Sequence, residues 1–383
     1  MPPKRGNLDP HSRREARALG EREAVRAQWR HGPAQIWDGG ARPHRVNETL
    51  LVWLQLLGCA AVIMVAGAKL SRYGDVIADK TSISGSWIGL MLMASVTSLP
   101  ELVTGISAVT LADAPDIAVG NVMGSCVFNL AMLVVIDFLY RDEPIYRRAS
   151  QGHILSAGFG IVMIGFAGLN VLLGTKANAL AVWRIGAYTP VILLLYLVAM
   201  RAVFQYEREH MVTHAQDEAG RYPGITLRQV VLRYAVAALA ILAAGSWLPF
   251  VGARLADIMG WHTTFVGTVF VAGATVLPEL VVTVASLRIG AVDMAIANLL
   301  GSNLFNIAIL TVDDIFFRAG PLLAHVSQLH AISAVSAVVM TGVVIVALLY
   351  RPRTRIFRMV GWASLSLFTL YLLNTYLLFL HGE

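Results

Sequence analysis

Long apolar stretches recur along the chain between residues 49 and 380, separated by short polar or charged connections. Most contain about 20 residues, the length that an α-helix needs to cross the hydrocarbon core of a bilayer. Their apolar residues run continuously instead of alternating with polar ones, which excludes membrane β-barrel strands. The pattern predicts ten transmembrane helices, at residues 49–70, 84–111, 116–139, 153–174, 185–204, 234–252, 262–287, 293–317, 331–350 and 359–380.

The composition agrees with a polytopic membrane protein. Of the 383 residues, 56% are hydrophobic and only 14% are charged, whereas a soluble domain has about 25% charged residues. The formal net charge of +6 lies mainly in tails and loops, where basic residues set topology and contact lipid headgroups. We therefore expect the lipid bilayer as a partner and no nucleic acid. Cys59 and Cys126 both fall in apolar segments, which argues against a disulfide framework.

The longest hydrophilic connection, residues 205–233, divides the predicted spans into two sets of five. Because five is odd, the second set re-enters the membrane from the opposite side. We therefore predict an all-α polytopic membrane fold, with ten transmembrane helices arranged as two inverted five-helix repeats. The predicted domains are a basic polar N-terminal tail at 1–48, a first repeat at 49–204, a cytoplasmic loop at 205–233 and a second repeat at 234–383.

Loop charges predict the orientation of the chain. The connections on one side carry most of the Lys and Arg residues of the loops, so that side is assigned to the cytoplasm and both termini to the outside. The basic tail at 1–48 opposes this assignment. The tail has no apolar segment beside its basic part, so it is not a cleavable signal peptide. Its residues 13–30, rich in Ala, Arg and Glu, have the composition of a surface helix.

One short motif occurs twice, once in each half. Residues 97–101 read Thr-Ser-Leu-Pro-Glu, and residues 275–279 read Thr-Val-Leu-Pro-Glu. Further matches follow each copy: Asp116, Gly124, Ser125 and Asn129 in the first, and Asp293, Gly301, Ser302 and Asn306 in the second. A carboxylate within an apolar span costs several kcal/mol or more, so it marks a candidate functional site. The duplicated glutamate predicts a cation site between the two repeats.

The motif chemistry favours a hard cation. Pro100 and Pro278 each lack an N–H and crowd the carbonyl four residues earlier, so nearby carbonyls can tilt away from the helix and face a cavity. The candidate ligands are all oxygens: the carboxylates of Glu101 and Glu279, the carbonyls of Ala94, Thr97, Ala272 and Thr275, and the side chains of Ser125, Asn129, Ser302 and Asn306. No His or Cys stands at ligand spacing, which disfavours soft metals. Ca²⁺ takes roughly six to eight oxygens, and Na⁺ or protons would also neutralise the two glutamates.

At these residues the chain resembles the cation/calcium exchanger superfamily, and most closely its prokaryotic sodium/calcium exchanger branch. The resemblance implies antiport of Ca²⁺ against Na⁺ by alternating access, in which shorter first and sixth spans slide across the rest. It implies no cofactor apart from the transported ions. In this family Ca²⁺ would be bound by Glu101 and Glu279 with the carbonyls of Thr97 and Thr275. The remaining implied ligands are Ser98, Ser125, Ser302 and the carbonyls of Ala94 and Ala272 for flanking Na⁺ positions, and Asn129 and Asn306 for the central position.

Three residues depart from the family pattern. Val276 stands where the family usually has Ser, so one Na⁺ position loses a hydroxyl. Asn306 stands where sodium/calcium members often have Asp, so the site has one carboxylate fewer. Cys126 replaces the Asn that usually follows Gly-Ser. The first two departures weaken Na⁺ coordination, so antiport of Ca²⁺, or of another divalent cation, against H⁺ by the same fold remains the alternative.

Other classes of protein fit the sequence less well. A channel usually places acids in rings contributed by several subunits, whereas both glutamates here belong to one chain, so a monomer suffices for transport. The chain has no nucleophile–base constellation and no phosphate-binding loop, so we do not expect an enzyme. The chain has four Lys against 26 Arg, a ratio typical of GC-rich bacterial genomes, and this favours a bacterial plasma (inner) membrane.

Overall fold

The computed structural model describes residues 42–81, 83–111, 113–140, 144–174, 184–211, 222, 224–259, 275–352 and 361–381. The chain separates into two compact units, 1–50 and 51–383. In the first unit the described residues are 42–50, and all are helical. Residues 13–30, where the sequence indicates a surface helix, lie outside the described residues, as does most of the predicted tail.

The described chain is helical throughout its regular elements. The α-helices are α1 (Arg42–Thr81), α2 (Gly85–Trp87), α3 (Ala94–Thr97), α4 (Leu99–Thr110), α5 (Pro115–Leu139), α6 (Ile145–Arg148), α7 (Gly152–Leu173), α8 (Tyr188–Met211), α9 (Leu227–Met259), α10 (Leu277–Arg288), α11 (Val292–Phe316), α12 (His330–Tyr350) and α13 (Trp362–His381). A π-helical segment, Ile88–Met93, joins α2 to α3, and a 3₁₀ turn, Leu322–Ala324, precedes α12.

Nine helical segments in the described part of the chain are long and apolar enough to cross a membrane. They coincide with nine of the ten predicted spans. The seventh predicted span, 262–287, is described only in its second half, as α10. The all-α polytopic membrane fold is therefore confirmed.

Helices extend beyond the predicted apolar spans in several places. The loop predicted at 205–233 is shorter, because α8 continues to residue 211 and α9 begins at residue 227. Apolarity marks only the part of a helix that lies in hydrocarbon, and a helix can extend into the polar headgroup region. The first and sixth spans are also not short, since α1 has 40 residues and α9 has 33.

Helix α11 lies at the centre of the bundle. In the apolar membrane-spanning segment of α11, 89% of the residues are buried. In the corresponding segments of α1 and α13, 22% of the residues are buried. The exposed positions of these two outer helices include large apolar side chains such as Leu54, Leu57 and Phe379. A helix that exposes such residues is suited to contact lipid. Helix α11 has almost no such surface, so its polar residues face other helices.

Two buried aspartates tie the repeats together in equivalent ways. Asp314, at the end of α11, accepts hydrogen bonds from the N–H groups of Gly186 (2.9 Å) and Leu322 (2.7 Å) and from the hydroxyls of Tyr188 and Thr189. Asp137, at the end of α5, accepts them from the N–H groups of Ile145 (3.3 Å) and Gly361 (2.9 Å) and from the hydroxyl of Ser364 (2.6 Å). Corresponding donors are 175 or 177 residues apart in the sequence. The internal repeat is thus visible in the packing as well as in the motif.

A second pair of aspartates links helix starts across the repeats. Asp116, in the first turn of α5, accepts hydrogen bonds from Ser327 N–H (2.7 Å) and lies 3.0 Å from His330 Nε2. In the other half, Asp293 accepts the N–H of Ser150 (2.6 Å) and lies 2.9 Å from His153 Nε2. Each aspartate lies in the first turn of its own helix and holds the segment at which a helix of the other repeat begins.

Gly301 allows α11 to approach the helix that carries the first motif. A Cβ atom at this position would lie 2.5 Å from the carbonyl oxygen of Leu90 and 2.8 Å from its Cα. Both atoms belong to backbone, which cannot rotate away, and small residues are what permit such close helix packing. The glycine therefore fixes the distance between α11 and the segment leading to Thr97.

We expect Gly301→Ala to destabilise the protein by about 1–3 kcal/mol, because the added methyl group overpacks a rigid contact. The melting temperature in detergent measures the effect. Gly342→Ala in α12 is the matched control, since no described atom lies within 4 Å of a Cβ built there and Ala is the better helix former. Equal melting temperatures for the two variants would contradict the proposed role of Gly301.

Candidate cation site

A new helix begins at the same point of both copies of the motif. It starts directly after Ser98 (φ −88°, ψ 6°) in the first copy and directly after Val276 (φ −85°, ψ 0°) in the second. Pro100 and Pro278 then occupy the first turn of the next helix, where a missing N–H costs little. Each glutamate consequently lies in the first turn of a new helix, α4 or α10, where the helix dipole favours negative charge.

The structure brings the two glutamates together inside the bundle. Glu101 and Glu279 are both fully buried, with 0% of their surface exposed. The hydroxyl of Ser98, from the first motif, donates a hydrogen bond to Oε1 of Glu279, from the second, at 3.0 Å. The two carboxylates are also close enough to interact electrostatically. The site is therefore shared between the repeats.

The site is not symmetric, and Val276 is the reason. Val276 occupies the position equivalent to Ser98, so Glu101 does not receive the hydroxyl hydrogen bond that Glu279 receives. The hydroxyl of Thr275 lies near Glu101 and donates a hydrogen bond to Oδ1 of Asn121 at 3.4 Å. Both oxygens of Glu101 thus have no hydrogen-bond donor among the described residues.

Helices α5 and α11 bring polar side chains to the same region. The hydroxyls of Thr97 and Ser302 are 3.5 Å apart. On the facing helices, Asn129 Nδ2 donates to Oδ1 of Asn303 at 3.1 Å, and Asn303 Nδ2 donates to the carbonyl of Cys126 at 3.2 Å. The predicted site residues on these two helices, Ser125, Asn129, Ser302 and Asn306, are all buried.

Several buried oxygens of the predicted ligands have no hydrogen-bond donor within the described part of the chain. They are Oε1 and Oε2 of Glu101, Oε2 of Glu279, Oγ of Ser125, Oδ1 of Asn129 and Oδ1 of Asn306. Buried polar atoms are nearly always hydrogen-bonded in native proteins, so a cluster of exceptions needs an explanation. These six oxygens match the hard, oxygen-only donor set that Ca²⁺ and Na⁺ prefer.

The carbonyl of Ala94, a predicted Na⁺ ligand, already accepts hydrogen bonds, unlike the six oxygens above. The carbonyl of Ala94 accepts hydrogen bonds from Ser98 N–H (3.0 Å) and from the Thr97 hydroxyl (3.3 Å). Ala272, its counterpart in the second half, lies outside the described residues. The roles of these two carbonyls as Na⁺ ligands remain predictions.

Three asparagines contribute to the site without having been assigned a role from the sequence. Asn121 donates to the carbonyl of Glu101 at 3.4 Å and accepts from the Thr275 hydroxyl, also at 3.4 Å. Asn298 donates to the Thr283 hydroxyl at 3.0 Å, and Asn303 links α5 to α11. Asn121 and Asn298 stand 177 residues apart, and this repeat spacing was the signal that could have identified them as positioning residues.

Comparisons with known proteins agree with this geometry. The sequence profile of the family described as sodium/calcium exchanger protein matches residues 51–205 and 230–377. The sodium/calcium exchanger MaX1 of Methanosarcina acetivorans is 27% identical over 284 residues, covering 67% of this chain and 81% of MaX1. The inner membrane protein YrbG of Escherichia coli is 23% identical over 262 residues, covering 68% of this chain and 78% of YrbG.

A solved structure supports the fold. The sodium-calcium exchanger NCX_Mj superposes with a TM-score of 0.64 at 19% sequence identity, covering 86% of this chain and 99% of that one. At this identity the likeness concerns the fold alone, while the family match covers most of the chain. Both agree with the duplicated motif and the shared pair of buried glutamates. The chain therefore belongs to the sodium/calcium exchanger family, and it is an integral membrane cation antiporter.

Proposed function

We propose that this antiporter binds Ca²⁺ between Glu101 and Glu279 and exchanges it for Na⁺ across a bacterial plasma membrane. The observation that carries the assignment of the site is the cluster of six buried ligand oxygens without donors, to which both repeats contribute. One Ca²⁺ bound between the two glutamates would neutralise both carboxylates and supply a partner to their free oxygens. Because both glutamates belong to one chain, a single copy holds the complete site, and the exchange needs no resident cofactor.

Competition for the same carboxylates couples the two ions. With no cation bound, the negative charges of Glu101 and Glu279 repel each other in a buried region, where charge interactions are strong. One Ca²⁺ relieves this repulsion, and so do Na⁺ ions that bind beside the same oxygens. Ser98 is well placed for such a position, because its hydroxyl already contacts Glu279. Once either cation has neutralised the two carboxylates, the attraction for the other cation is weak. Each ion would therefore displace the other.

Helices α1 and α9, which alternating access would move relative to the site, contact the two glutamate-bearing helices in equivalent ways. A Cβ atom at Gly245 of α9 would lie 2.6 Å from Cγ of Pro100 and 3.5 Å from Cγ of Pro278. One at Gly67 of α1 would lie 2.7 Å from Cγ1 of Val281. The two glycines are 178 residues apart, the same spacing as the two glutamates. Helices α1 and α9 thus pack closely, at equivalent residues without a side chain, against the helices that carry the two glutamates.

The counter-ion is tested by Ca²⁺ uptake into proteoliposomes that contain the purified protein. We expect uptake when an outward Na⁺ gradient is imposed at equal pH on both sides. Uptake that follows only a pH gradient, with Na⁺ equal on both sides, would contradict Na⁺ coupling and establish H⁺ as the counter-ion. If Ca²⁺ only equilibrates across the membrane and never accumulates against its own gradient, the result would contradict antiport itself.

We expect Val276→Ser to strengthen Na⁺ coupling. The new hydroxyl would contact Glu101 in the way that the Ser98 hydroxyl contacts Glu279. It would add one oxygen ligand and one hydrogen-bond donor to the half of the site that has fewer of them. One hydrogen bond to a charged group is worth about 1.5–3 kcal/mol, so the Na⁺ concentration for half-maximal exchange should fall roughly tenfold. Val276→Thr provides the same hydroxyl and Val276→Ala provides none. If the alanine variant lowers the Na⁺ requirement as much as the serine variant does, the hydroxyl is not the cause.

A further inference from the structure

Another carboxylate lies buried in the bundle and is not part of the two-glutamate site. Asp313, on α11, is 0% exposed, and neither of its oxygens has a hydrogen-bond partner among the described residues. Its neighbour Asp314 is equally buried but has four donors. The contrast between adjacent residues shows that the fold can satisfy an acid in this part of α11. Asp313 therefore requires a different explanation from Asp314.

Asp313 lies along the same helix pair as the central site. It follows Asn306 by seven residues, which places both on one face of α11, about 10 Å apart along the axis. It contacts α4 at Gly105, one turn beyond Glu101, since a Cβ atom there would lie 2.5 and 2.6 Å from the two carboxylate oxygens. The helices run in the same direction, because Thr97 contacts Ser302 near one end and Gly105 contacts Asp313 nearer the other. The interface between α4 and α11 thus leads from Glu101 to Asp313.

The carboxylate is specific to one repeat. Position 136 in α5 corresponds to 313 by the 177-residue spacing, and it holds Ile136, a fully buried apolar residue. An aliphatic side chain therefore fits the equivalent environment. An ionised carboxylate without a partner at such a position is costly, and it is neutralised by a bound cation or by a proton. A bound cation would compensate the buried negative charge of Asp313, and this would explain an acid at this position.

We propose that Asp313 is an additional cation-binding carboxylate of the transport pathway, occupied by a monovalent cation, Na⁺ or H⁺, during exchange. The inference rests on the proposed exchange at Glu101 and Glu279. Asn306 removes a carboxylate from the position where sodium/calcium members of the family often carry one. Asp313 restores that negative charge two helical turns further along the same face. The counter-cation would then bind partly outside the Ca²⁺ site, at the Asp313 carboxylate.

Cation-dependent thermal stability tests this proposal apart from transport. A ligand that binds the folded state raises the melting temperature with its concentration. We expect full-length Glu101→Gln/Glu279→Gln protein in detergent, whose central site is disabled, to be stabilised by Na⁺ at fixed pH or by acid at fixed Na⁺. Adding Asp313→Asn should remove that dependence, and the cation whose effect disappears is the one bound. If Asp313→Asn leaves both dependences unchanged, the proposal is wrong, whatever the central site does.

Ca²⁺ exchange by Asp313 variants is the second test of this proposal. In the native background, Asp313→Asn should raise the Na⁺ or H⁺ concentration for half-maximal Ca²⁺ exchange about tenfold, and adding Asn306→Asp should restore it. Asp313→Leu, which removes the charge and fills the space, should behave like Asp313→Asn. Asp314→Asn is the matched neighbour, expected to lower the melting temperature without changing the cation requirement. Wild-type cation dependence in both Asp313 variants would overturn the proposal.

Discussion

Glu101→Gln and Glu279→Gln are each expected to abolish Ca²⁺ exchange while the protein still folds and inserts into the membrane. The substitution keeps the size of the side chain and removes one of the two charges that bind the divalent cation. The other carboxylate remains, so one amide and one acid must compete with water for Ca²⁺. Removing one member of a buried pair of opposite charges, here a carboxylate and Ca²⁺, costs about 2–5 kcal/mol of binding free energy, which corresponds to a loss of roughly 30-fold to more than 1,000-fold in affinity. Ca²⁺ uptake by proteoliposomes measures the loss.

Glu207→Gln is the matched control for these two variants. Glu207 is also a buried glutamate, 8% exposed, but it lies near the end of α8, next to Gly152 and away from the two motifs. We expect its substitution to leave Ca²⁺ exchange near the wild-type rate. Size-exclusion profiles of all three variants check folding. Ca²⁺ exchange retained in either motif variant would remove the central assignment.

Asp314→Asn should destabilise the fold more than any other conservative change described above. The aspartate accepts hydrogen bonds from two backbone N–H groups and two hydroxyls. An amide replaces one accepting oxygen with an N–H₂ group that faces donors, so at least two buried donors lose their acceptor. Each such loss costs about 1–3 kcal/mol, so we expect roughly 3–5 kcal/mol in total and a melting temperature lower by several degrees.

Asp137→Asn and Asp313→Asn are the variants with which Asp314→Asn should be compared. Asp137 accepts three equivalent hydrogen bonds in the other repeat, so its substitution should destabilise the protein to a similar extent. Asp313 has no hydrogen-bond partner among the described residues, so Asp313→Asn should leave stability in the absence of added cations unchanged or raised. Similar melting temperatures for Asp313→Asn and Asp314→Asn would mean that the hydrogen bonds to Asp314 do not anchor these loops.

The architecture could be predicted from the sequence because the bilayer imposes one length and one polarity on each span. The predicted ends of the third span, 116–139, and the observed ends of α5, Pro115–Leu139, differ by at most one residue. The ends of α8 and α9 could not be predicted in this way, since helix beyond the hydrocarbon can be as polar as a loop. The motif in turn identified Glu101 and Glu279, because an acid in an apolar span rarely has a structural explanation.

The rest of the site depends on contacts that no sequence pattern contains. That Ser98 bonds to Glu279, and not to the glutamate of its own motif, follows from how the repeats pack. The same is true of Asp313 and Asp314, which are adjacent in sequence and differ only in what surrounds them. The sequence alone assigns a role to neither residue. For Val276, the sequence predicts the missing hydroxyl, and the structure adds that Glu101 is the glutamate left without a hydrogen-bond donor among the described residues.

Ca²⁺ binding to the purified protein tests the central claim most directly. Titration calorimetry in Na⁺-free detergent solution should give a single high-affinity Ca²⁺ site per chain, because both glutamates serve the same ion. Each of the variants Glu101→Gln and Glu279→Gln should then lose that site completely. Two Ca²⁺ ions per wild-type chain, of which each single variant loses one, would show that the glutamates bind separate ions and would contradict a site shared between the repeats.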